Sequence, residues 1–148
     1  MNRKEIVQHI KKFAESQKNM EEVLKETVKI LKENFDYYSW VGIYLLDGNE
    51  LVLGPYLGKP SPHTRIPLNR GICGAAASQG KSIIIPDVNA DSRYLACSLE
   101  TKSEVVVPIM KGDKVFGEID IDSDKPDAFS QEDQLFIEQL CSILSELF

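Results

Sequence analysis

Residues 118–122 alternate acidic and aliphatic side chains in the order Glu-Ile-Asp-Ile-Asp. In an extended strand, alternate side chains point to opposite faces, so three carboxylates are predicted to share one face and two isoleucines the other. Aspartate and glutamate are poor strand formers, and carboxylates held close together resist joint ionisation, which raises their pKa values. The run therefore predicts either general acids that meet a cationic or protic ligand, or a solvated outer face.

Three cysteines, Cys73, Cys97 and Cys141, are the candidate nucleophiles of the chain. Cys73 lies near the start of a predicted short helix, whose positive end favours a thiolate, although a lone cysteine is more commonly a small buried hydrophobe. Cys97 falls in a predicted loop, where access is greater, and Cys141 falls on the apolar stripe of the last predicted helix. Cys73 and Cys97 are thus the candidate reactive thiols, and Cys141 is expected to be inert.

Trp40 and Tyr44 lie four residues apart in a segment rich in aromatic and β-branched residues, with Gly42 between them. In a strand this spacing places both rings on one face, so they predict either two walls of a ligand pocket or ordinary core packing. A metal site built from the two candidate thiols, His63 and a carboxylate matches no compact ligand motif, so no metal is expected.

The composition is that of an ordinary globular protein and argues against several classes of function. The 148 residues carry a net charge of −6 without a cluster of lysine and arginine, which argues against nucleic acid as a partner. Three cysteines are too few, and odd in number, for a secreted disulfide framework, and no apolar run approaches the ~18 residues of a membrane span. The amphipathic amino terminus does not resemble a signal peptide, so a cytoplasmic location is expected.

Hydrophobic periodicity predicts helices at both ends of the chain and strands between them. The predicted elements are helices over 3–16 and 20–31, strands over 38–46 and 51–56, a short helix over 71–78, strands over 82–85, 105–110 and 115–122, and a helix over 131–147. Asn19 is a predicted N-cap, and Ser130 with Asp133 forms a predicted capping pair. Segments 58–70 and 88–102 are predicted to be loops.

Strands that follow one another in hairpins, with helices at both ends, indicate an antiparallel sheet in an α+β arrangement. The Asp47-Gly48 pair between two apolar runs is a strong hairpin signal. The terminal helices are expected to pack on one face of the sheet, and the two long loops to cover the other face, where a ligand pocket would lie. Residues 1–148 are predicted to form a single domain, since no linker or repeat divides them.

Several stretches, taken together, resemble the GAF domain family and, within it, the free methionine-(R)-sulfoxide reductases. The resembling stretches are residues 40–46, 51–56, 58–60, 64–67, 70–74, 86–88, 96–97, 103–108 and 120–123, which span most of the chain. The resemblance implies a GAF-like fold and thiol-based reduction of free L-methionine-(R)-sulfoxide. It also implies a small-molecule substrate, and a homodimer is expected on this ground alone; no membrane partner is expected because the chain lacks a long apolar run.

The resemblance further assigns roles to the two candidate thiols. In that family, the cysteine at the position of Cys97 attacks the sulfoxide sulfur and becomes a sulfenic acid as methionine leaves. A second cysteine then closes a disulfide, which thioredoxin reopens by exchange. The resemblance thus implies a Cys73–Cys97 disulfide, thioredoxin as electron donor, and no bound cofactor.

The same resemblance assigns the pocket. It implies that Glu104, Asp120 and Asp122 bind the substrate amino group and supply a proton to the departing oxygen. It also implies that Trp40 and Tyr44 hold the methylthio end of the substrate.

The stretch Ser61-Pro62-His63-Thr64 departs from many family members, which carry a further, often resolving, cysteine shortly after Gly-Lys-Pro. Cys73 is expected to take that role here. A GAF module that only binds a small ligand and regulates a partner would also lack this thiol, and it is the alternative function. A metal-dependent hydrolase is a third interpretation, and it would require a stoichiometric bound metal.

Overall fold

The structure is a computed structural model that describes residues 1–17, 19–95 and 99–148. The elements in chain order are α1 (Arg3–Ser16), α2 (Met20–Asn34), β1 (Trp40–Asp47), β2 (Glu50–Leu57), β3 (Arg65–Pro67), α3 (Gly71–Gln79), β4 (Ile83–Ile85), β5 (Ser103–Lys111), β6 (Lys114–Ser123) and α4 (Gln131–Ser145), with one 3₁₀ turn at Val88–Ala90. Among these residues, no helix is both long and apolar enough to cross a membrane.

The strands form one sheet in the order β3-β2-β1-β6-β5-β4, and every neighbouring pair is antiparallel. The hairpin between β1 and β2 turns at Gly48, whose φ of 64° lies in the left-handed region that glycine enters without steric cost. The predicted antiparallel α+β class is confirmed, and β1 and β6 are its two central strands.

Three helices cover one face of the sheet. Helices α2 and α4 pack on the strands, and α1 packs against both of these helices. Ile119 and Ile121 of β6 point into this layer and are fully buried, which stabilises the fold by roughly 1.5–3 kcal/mol for each side chain. The predicted packing of the terminal helices on one face is therefore confirmed.

The opposite face carries a second apolar cluster under α3 and the connecting segments. Helix α3 packs against β3, β5 and β6. Trp40, Tyr44 and Cys73 belong to this second cluster. Hydrogen bonds from the two aromatic side chains to backbone carbonyls of Lys59 and His63 hold the segment between β2 and β3 over the same face. The pocket predicted for this face therefore lies between the sheet, α3 and that segment.

The local signals at helix ends are confirmed, and one predicted loop contains a strand. The Asn19 side chain accepts a hydrogen bond from the Glu22 backbone, and Ser130 and Asp133 form a reciprocal capping box. The prediction that all of residues 58–70 is loop is wrong, because β3 pairs with β2 at the sheet edge. An edge strand can tolerate Pro67, which has no amide hydrogen to donate.

Candidate functional site

The hairpin of β5 and β6 brings four carboxyl groups onto one face of the sheet. Glu104 lies opposite Asp122 across the two strands, and Asp120 and Glu118 follow at alternate positions along β6. Each of these four side chains is at most 4% exposed. The face is therefore buried, and a solvated outer face is excluded for these residues.

Several oxygens of this acidic cluster, defined as Glu104, Glu118, Asp120 and Asp122, have no hydrogen-bond partner among the described residues. They are Asp120 Oδ1, Asp122 Oδ1 and both carboxyl oxygens of Glu118. Buried polar atoms are normally satisfied, since desolvating them without a partner is costly. The unsatisfied oxygens indicate that the cluster is arranged to meet a ligand or to hold protons.

Burial makes every carboxyl group of the cluster a weaker acid than usual. It raises the pKa of Glu104 well above its ordinary value, and the neighbouring Asp120 and Asp122 raise it further. The pKa values of Glu118 and Asp122 are raised in the same way, first by burial and then by the charge of Asp120. Burial also raises the pKa of Asp120, although hydrogen bonds with Glu104 and Cys73 oppose the shift. Raised pKa values favour the protonated form, so such a cluster can donate a proton to a reacting oxygen.

Cys73 lies in the first turn of α3, next to this cluster. Its sulfur and carboxylate oxygens of Glu104 and Asp120 all lie within 4.8 Å of one another. The pKa of the Cys73 thiol is raised well above its ordinary value, by burial first and then by Asp120, Glu118 and Glu104. The predicted lowering of this pKa by the helix end is wrong, because burial and the three acids outweigh the partial positive charge of the helix.

Cys73, Glu104 and Asp120 also have the donor types of a metal site. Thiolate and carboxylate groups both bind divalent cations, and these three are the donor atoms that converge among the described residues. His63 is not part of this group; its backbone carbonyl accepts the Tyr44 hydroxyl at 2.8 Å. The arrangement can therefore bind a cation, either a metal ion or an ammonium group.

Trp40 and Tyr44 form aromatic walls on the same face as the cluster, with ring centroids 6.5 Å apart. The Trp40 ring lies over Gly42, where a Cβ atom would fall 2.2 Å from Trp40 Cη2. The indole nitrogen donates to the Lys59 carbonyl at 3.0 Å, and Tyr56 stacks on the indole with centroids 5.6 Å apart. Only glycine at position 42 leaves the space that this ring occupies.

Two small cavities adjoin the acidic cluster. The first, with a volume of about 10 Å³, is lined by residues that include Tyr44, Cys73, Glu104 and Asp120. The second, with a volume of about 60 Å³, is lined by Ser39, Trp40, Lys59, Glu100, Thr101, Asp122 and Asp124. An ion pair between Lys59 and Glu100 joins two segments at the second cavity. Each cavity thus combines an aromatic wall with at least one carboxyl group of the cluster.

Cys97 lies outside the described residues, together with Ala96 and Ser98. Its described neighbours in sequence border the site: Leu95 lines the first cavity and Glu100 the second. Cys141 lies elsewhere, in the core under the helices, where its thiol contacts the Val107 carbonyl at 3.5 Å. Burial raises the Cys141 pKa above its ordinary value, which is typical of an inert thiol.

Glu118 belongs to the acidic run that the sequence predicts on one strand face, but the family resemblance assigns it no role in the site. Its alternation with Asp120 and Asp122 was the available signal, since all three share one strand face. Nothing local in the sequence indicates that its carboxyl group lies close to Cys73, because that proximity depends on how α3 packs across β6.

Comparison with known proteins gives a consistent result. The GAF domain family profile matches residues 19–146. GAF domain-containing protein A of Dictyostelium discoideum is 43% identical over 122 residues, which cover 82% of this chain and 76% of that protein. Free methionine-R-sulfoxide reductase of Escherichia coli K12 is 36% identical over 124 residues, which cover 84% of this chain and 74% of that protein.

A solved structure agrees with these sequence matches. The free methionine-R-sulfoxide reductase from Neisseria meningitidis, in complex with its substrate, superimposes with a TM-score of 0.93 at 35% identity. The superposition covers 99% of this chain and 87% of that protein. The chain therefore belongs to the GAF domain family and, within it, to the free methionine-R-sulfoxide reductases.

Proposed function

We propose that this chain is an oxidoreductase that reduces free L-methionine-(R)-sulfoxide to methionine. The observation that carries the proposal is the buried acidic cluster, with its unsatisfied oxygens, on the same sheet face as two aromatic side chains and beside the Cys73 thiol. Free methionine sulfoxide presents an ammonium group that carboxylates bind, and a methyl-sulfur end that aromatic rings contact. The relatives named for this activity support the assignment.

The first step needs a nucleophile and a proton donor. The Cys97 sulfur attacks the sulfoxide sulfur, the oxygen passes to cysteine, and methionine leaves as the thioether. Cys97 becomes a sulfenic acid, so the cysteine is oxidised as the substrate is reduced. Glu104, Asp120 and Asp122 bind the ammonium group, and the raised pKa values of these acids suit one of them to protonate the sulfoxide oxygen.

The second step restores the enzyme. Cys73 attacks the Cys97 sulfenic acid to form a disulfide and release water, and a thioredoxin dithiol reopens that disulfide by exchange. Cys73 is suited to this role because it borders the first cavity and is 5% exposed, away from bulk oxidants. A homodimer remains an expectation from the family resemblance.

The direct test is turnover of free L-methionine-(R)-sulfoxide, measured with dithiothreitol and with thioredoxin beside the S isomer. R-specific turnover with both reductants is expected. Cys97→Ser should abolish it, while the matched control Cys141→Ser retains it. Turnover that persists in a chelator excludes a metal-dependent reaction.

Other results lead to different conclusions. Full activity in Cys97→Ser would contradict the mechanism. Absence of turnover with either reductant, together with ligand binding that survives replacement of Cys73 and Cys97 by serine, would instead identify a binding module.

A further inference from the structure

Cys73, Glu104 and Asp120 bring three metal-binding donor atoms together inside the protein. The Cys73 sulfur and one carboxyl oxygen from each acid all lie within 4.8 Å of one another. All three residues are buried, so bulk water competes little for their donor atoms. Helix α3 supplies the thiol, β5 supplies Glu104 and β6 supplies Asp120, and these elements pack against one another. The donors are therefore held by the rigid scaffold of the fold, which favours a defined ligand geometry.

Asp120 carries an oxygen that independently indicates a ligand. Its Oδ1 atom has no hydrogen-bond partner among the described residues, although the side chain is buried. Asp120 lines the first cavity together with Glu104 and Cys73. The volume of that cavity, about 10 Å³, is close to the minimum that holds one water molecule. The unsatisfied oxygen therefore borders a space that suits a single ion or the ammonium end of a larger molecule.

Among the described residues, no positive side chain forms an ion pair with the acids of this site. The ion pairs of the described residues involve neither Glu104 nor Asp120, and neither Glu118 nor Asp122 beside them. Buried charges in native proteins are normally paired or coordinate metals. A cation held between the donors supplies the positive charge that these side chains lack.

The donor types select zinc among the common divalent ions. Thiolate ligands favour zinc, whereas magnesium and calcium prefer oxygen ligands alone. Around a tetrahedral zinc ion, sulfur lies at about 2.3 Å and carboxylate oxygen at about 2.0–2.2 Å, which places neighbouring donors roughly 3.4–3.6 Å apart. Small side-chain shifts bring donors that already lie within 4.8 Å to these separations. Three protein donors leave the fourth position to water, as in zinc sites that stay open to solutes.

We propose that Cys73, Glu104 and Asp120 form a zinc-binding site, and that bound zinc excludes the substrate and inhibits the reductase. Zinc binding itself depends only on these side chains, whereas the inhibition rests on the reductase function proposed above. The ion replaces the thiol proton, which passes to solvent, and no electron is transferred. Zinc then occupies carboxylates that the substrate ammonium group needs, and it holds the sulfur that resolves the sulfenic acid. Because the ion inhibits, a chelator should preserve or raise turnover.

The first test uses a variant that combines Cys97→Ser with Cys141→Ser, so that Cys73 is the remaining cysteine of the chain. Cobalt(II) is added to the reduced variant as a spectroscopic substitute for zinc. A thiolate-to-cobalt charge-transfer band in the near ultraviolet is expected at one equivalent, and excess zinc should remove it. Absence of the band would overturn the zinc site, and this conclusion needs no replacement of Cys73 itself.

Calorimetric titration of zinc into the reduced full chain tests the carboxyl donors. Glu104→Gln and Asp120→Asn should each weaken zinc binding by at least about 100-fold, since loss of an outer-shell partner alone costs about 10–100-fold. Asp113→Asn, in the turn between β5 and β6, is the matched control and should bind zinc with wild-type affinity. Wild-type affinity in either Glu104→Gln or Asp120→Asn would mean that zinc binds elsewhere and would overturn the proposal.

Competition is measured on Cys97→Ser, which lacks the attacking sulfur and so does not consume the ligand. L-methionine-(R)-sulfoxide should raise the apparent Kd of this variant for zinc in proportion to the sulfoxide concentration. An apparent Kd that stays constant as the sulfoxide concentration rises would overturn the exclusion of substrate by zinc.

Inhibition is measured in a single turnover without added reductant, because dithiothreitol itself binds zinc. Reduced wild-type protein, with and without zinc, is mixed with L-methionine-(R)-sulfoxide, and the methionine released is quantified. Zinc should abolish the release, and EDTA should restore it. Full release at saturating zinc would overturn the inhibition. A protein that releases no methionine even without zinc would instead overturn the reductase function, and the cobalt band and the calorimetry would still decide the zinc site.

Discussion

Two groups of buried acids in this protein have opposite pKa shifts. Asp133, at the start of α4, is 2% exposed, and the members of the acidic cluster on the sheet are buried to a similar extent. Burial opposes ionisation of Asp133, but hydrogen bonds from the Ser130 backbone, Tyr38, Arg3 and Tyr37 outweigh it and hold its pKa below the ordinary value. In the acidic cluster, burial prevails and the pKa values are raised.

The two sites have similarly low surface exposure, but Asp133 lies less deep in the protein and is surrounded by hydrogen-bond donors. Asp133 Oδ1 accepts from Tyr38, Tyr37 and Arg3 at 2.7, 2.8 and 3.0 Å, and Oδ2 accepts from Ser130 at 3.0 Å. The acidic cluster has acids as neighbours and oxygens without a donor. A carboxylate whose oxygens all accept hydrogen bonds, such as Asp133, stabilises the fold. A cluster whose oxygens lack donors leaves them available to a substrate ammonium group or a proton.

Asp120→Asn tests the cluster side of this comparison and has the largest expected effect. Loss of the carboxyl group removes an ammonium ligand and a proton source, so turnover should fall by about 10²–10⁴-fold. The free energy of unfolding should stay equal or rise, since an acid that disfavours ionisation of its neighbours is removed. Steady-state kinetics and urea unfolding measure both, with Asp113→Asn in the β5–β6 turn as control. Unchanged turnover in Asp120→Asn would contradict a functional role for the acidic cluster.

Asp133→Asn tests the role of the carboxylate whose oxygens all accept hydrogen bonds. The amide leaves Arg3 without its buried counter-ion and turns a donor toward the tyrosine hydroxyls, so the free energy of unfolding should fall by about 3 kcal/mol. Turnover per folded molecule should remain close to the wild-type value. Urea unfolding measures the change, with Glu132→Gln, at the exposed neighbouring position, as the control. An Asp133→Asn protein that is stable but inactive would mean that Asp133 serves the reaction rather than the fold.

The sequence predicts the geometry of the acidic cluster better than its environment. Alternation along residues 118–122 correctly places Ile119 and Ile121 in the helix-covered core, with the acids on the opposite face. The alternation of acidic and aliphatic residues does not show whether that opposite face is exposed to solvent or buried. The answer depends on α3 and on the segment held by Trp40 and Tyr44, which are far away along the chain.

Local rules fail where tertiary neighbours dominate. A helix start is expected to lower the pKa of Cys73, but burial, and then three acids from strands distant in sequence, raise it. Strand β3 was missed because its three residues, which end in Pro67, give too short a periodic signal, and only pairing with β2 defines it. Caps, which depend on residues three positions apart, were predicted correctly at Asn19 and Ser130.

The pH dependence of stability sharpens the comparison further. Folded carboxyl groups with raised pKa values bind more protons than the unfolded chain, so their contribution to stability falls as pH rises from ~4 through the folded pKa. Asp133 has a lowered pKa and contributes stability above ~4 that is lost as pH falls through its folded pKa. Relative to wild type, Asp120→Asn should therefore gain stability as pH rises from 4 to 8, whereas the deficit of Asp133→Asn should shrink below pH 4. Urea unfolding across this range measures both differences. If the difference in stability from wild type changed with pH in the same way for both variants, the opposite pKa shifts would be contradicted.

Tyr37→Phe gives the smallest expected effect and tests whether the donors around Asp133 act separately. Tyr37 is half-buried, its hydroxyl donates to Asp133 and accepts from Arg3, and its pKa is raised to about 12 by burial and then by Asp133. Removing this one donor should lower the free energy of unfolding by about 0.5–1.5 kcal/mol, since the other donors keep the carboxylate satisfied. Urea unfolding beside Tyr56→Phe isolates the hydrogen bond, because the Tyr56 ring stacks on Trp40 and its phenylalanine variant keeps that contact. If Tyr37→Phe lowers the free energy of unfolding as much as Asp133→Asn does, the donors around Asp133 act as one cooperative unit. The contrast with the acidic cluster would then depend on the complete set of donors rather than on their number.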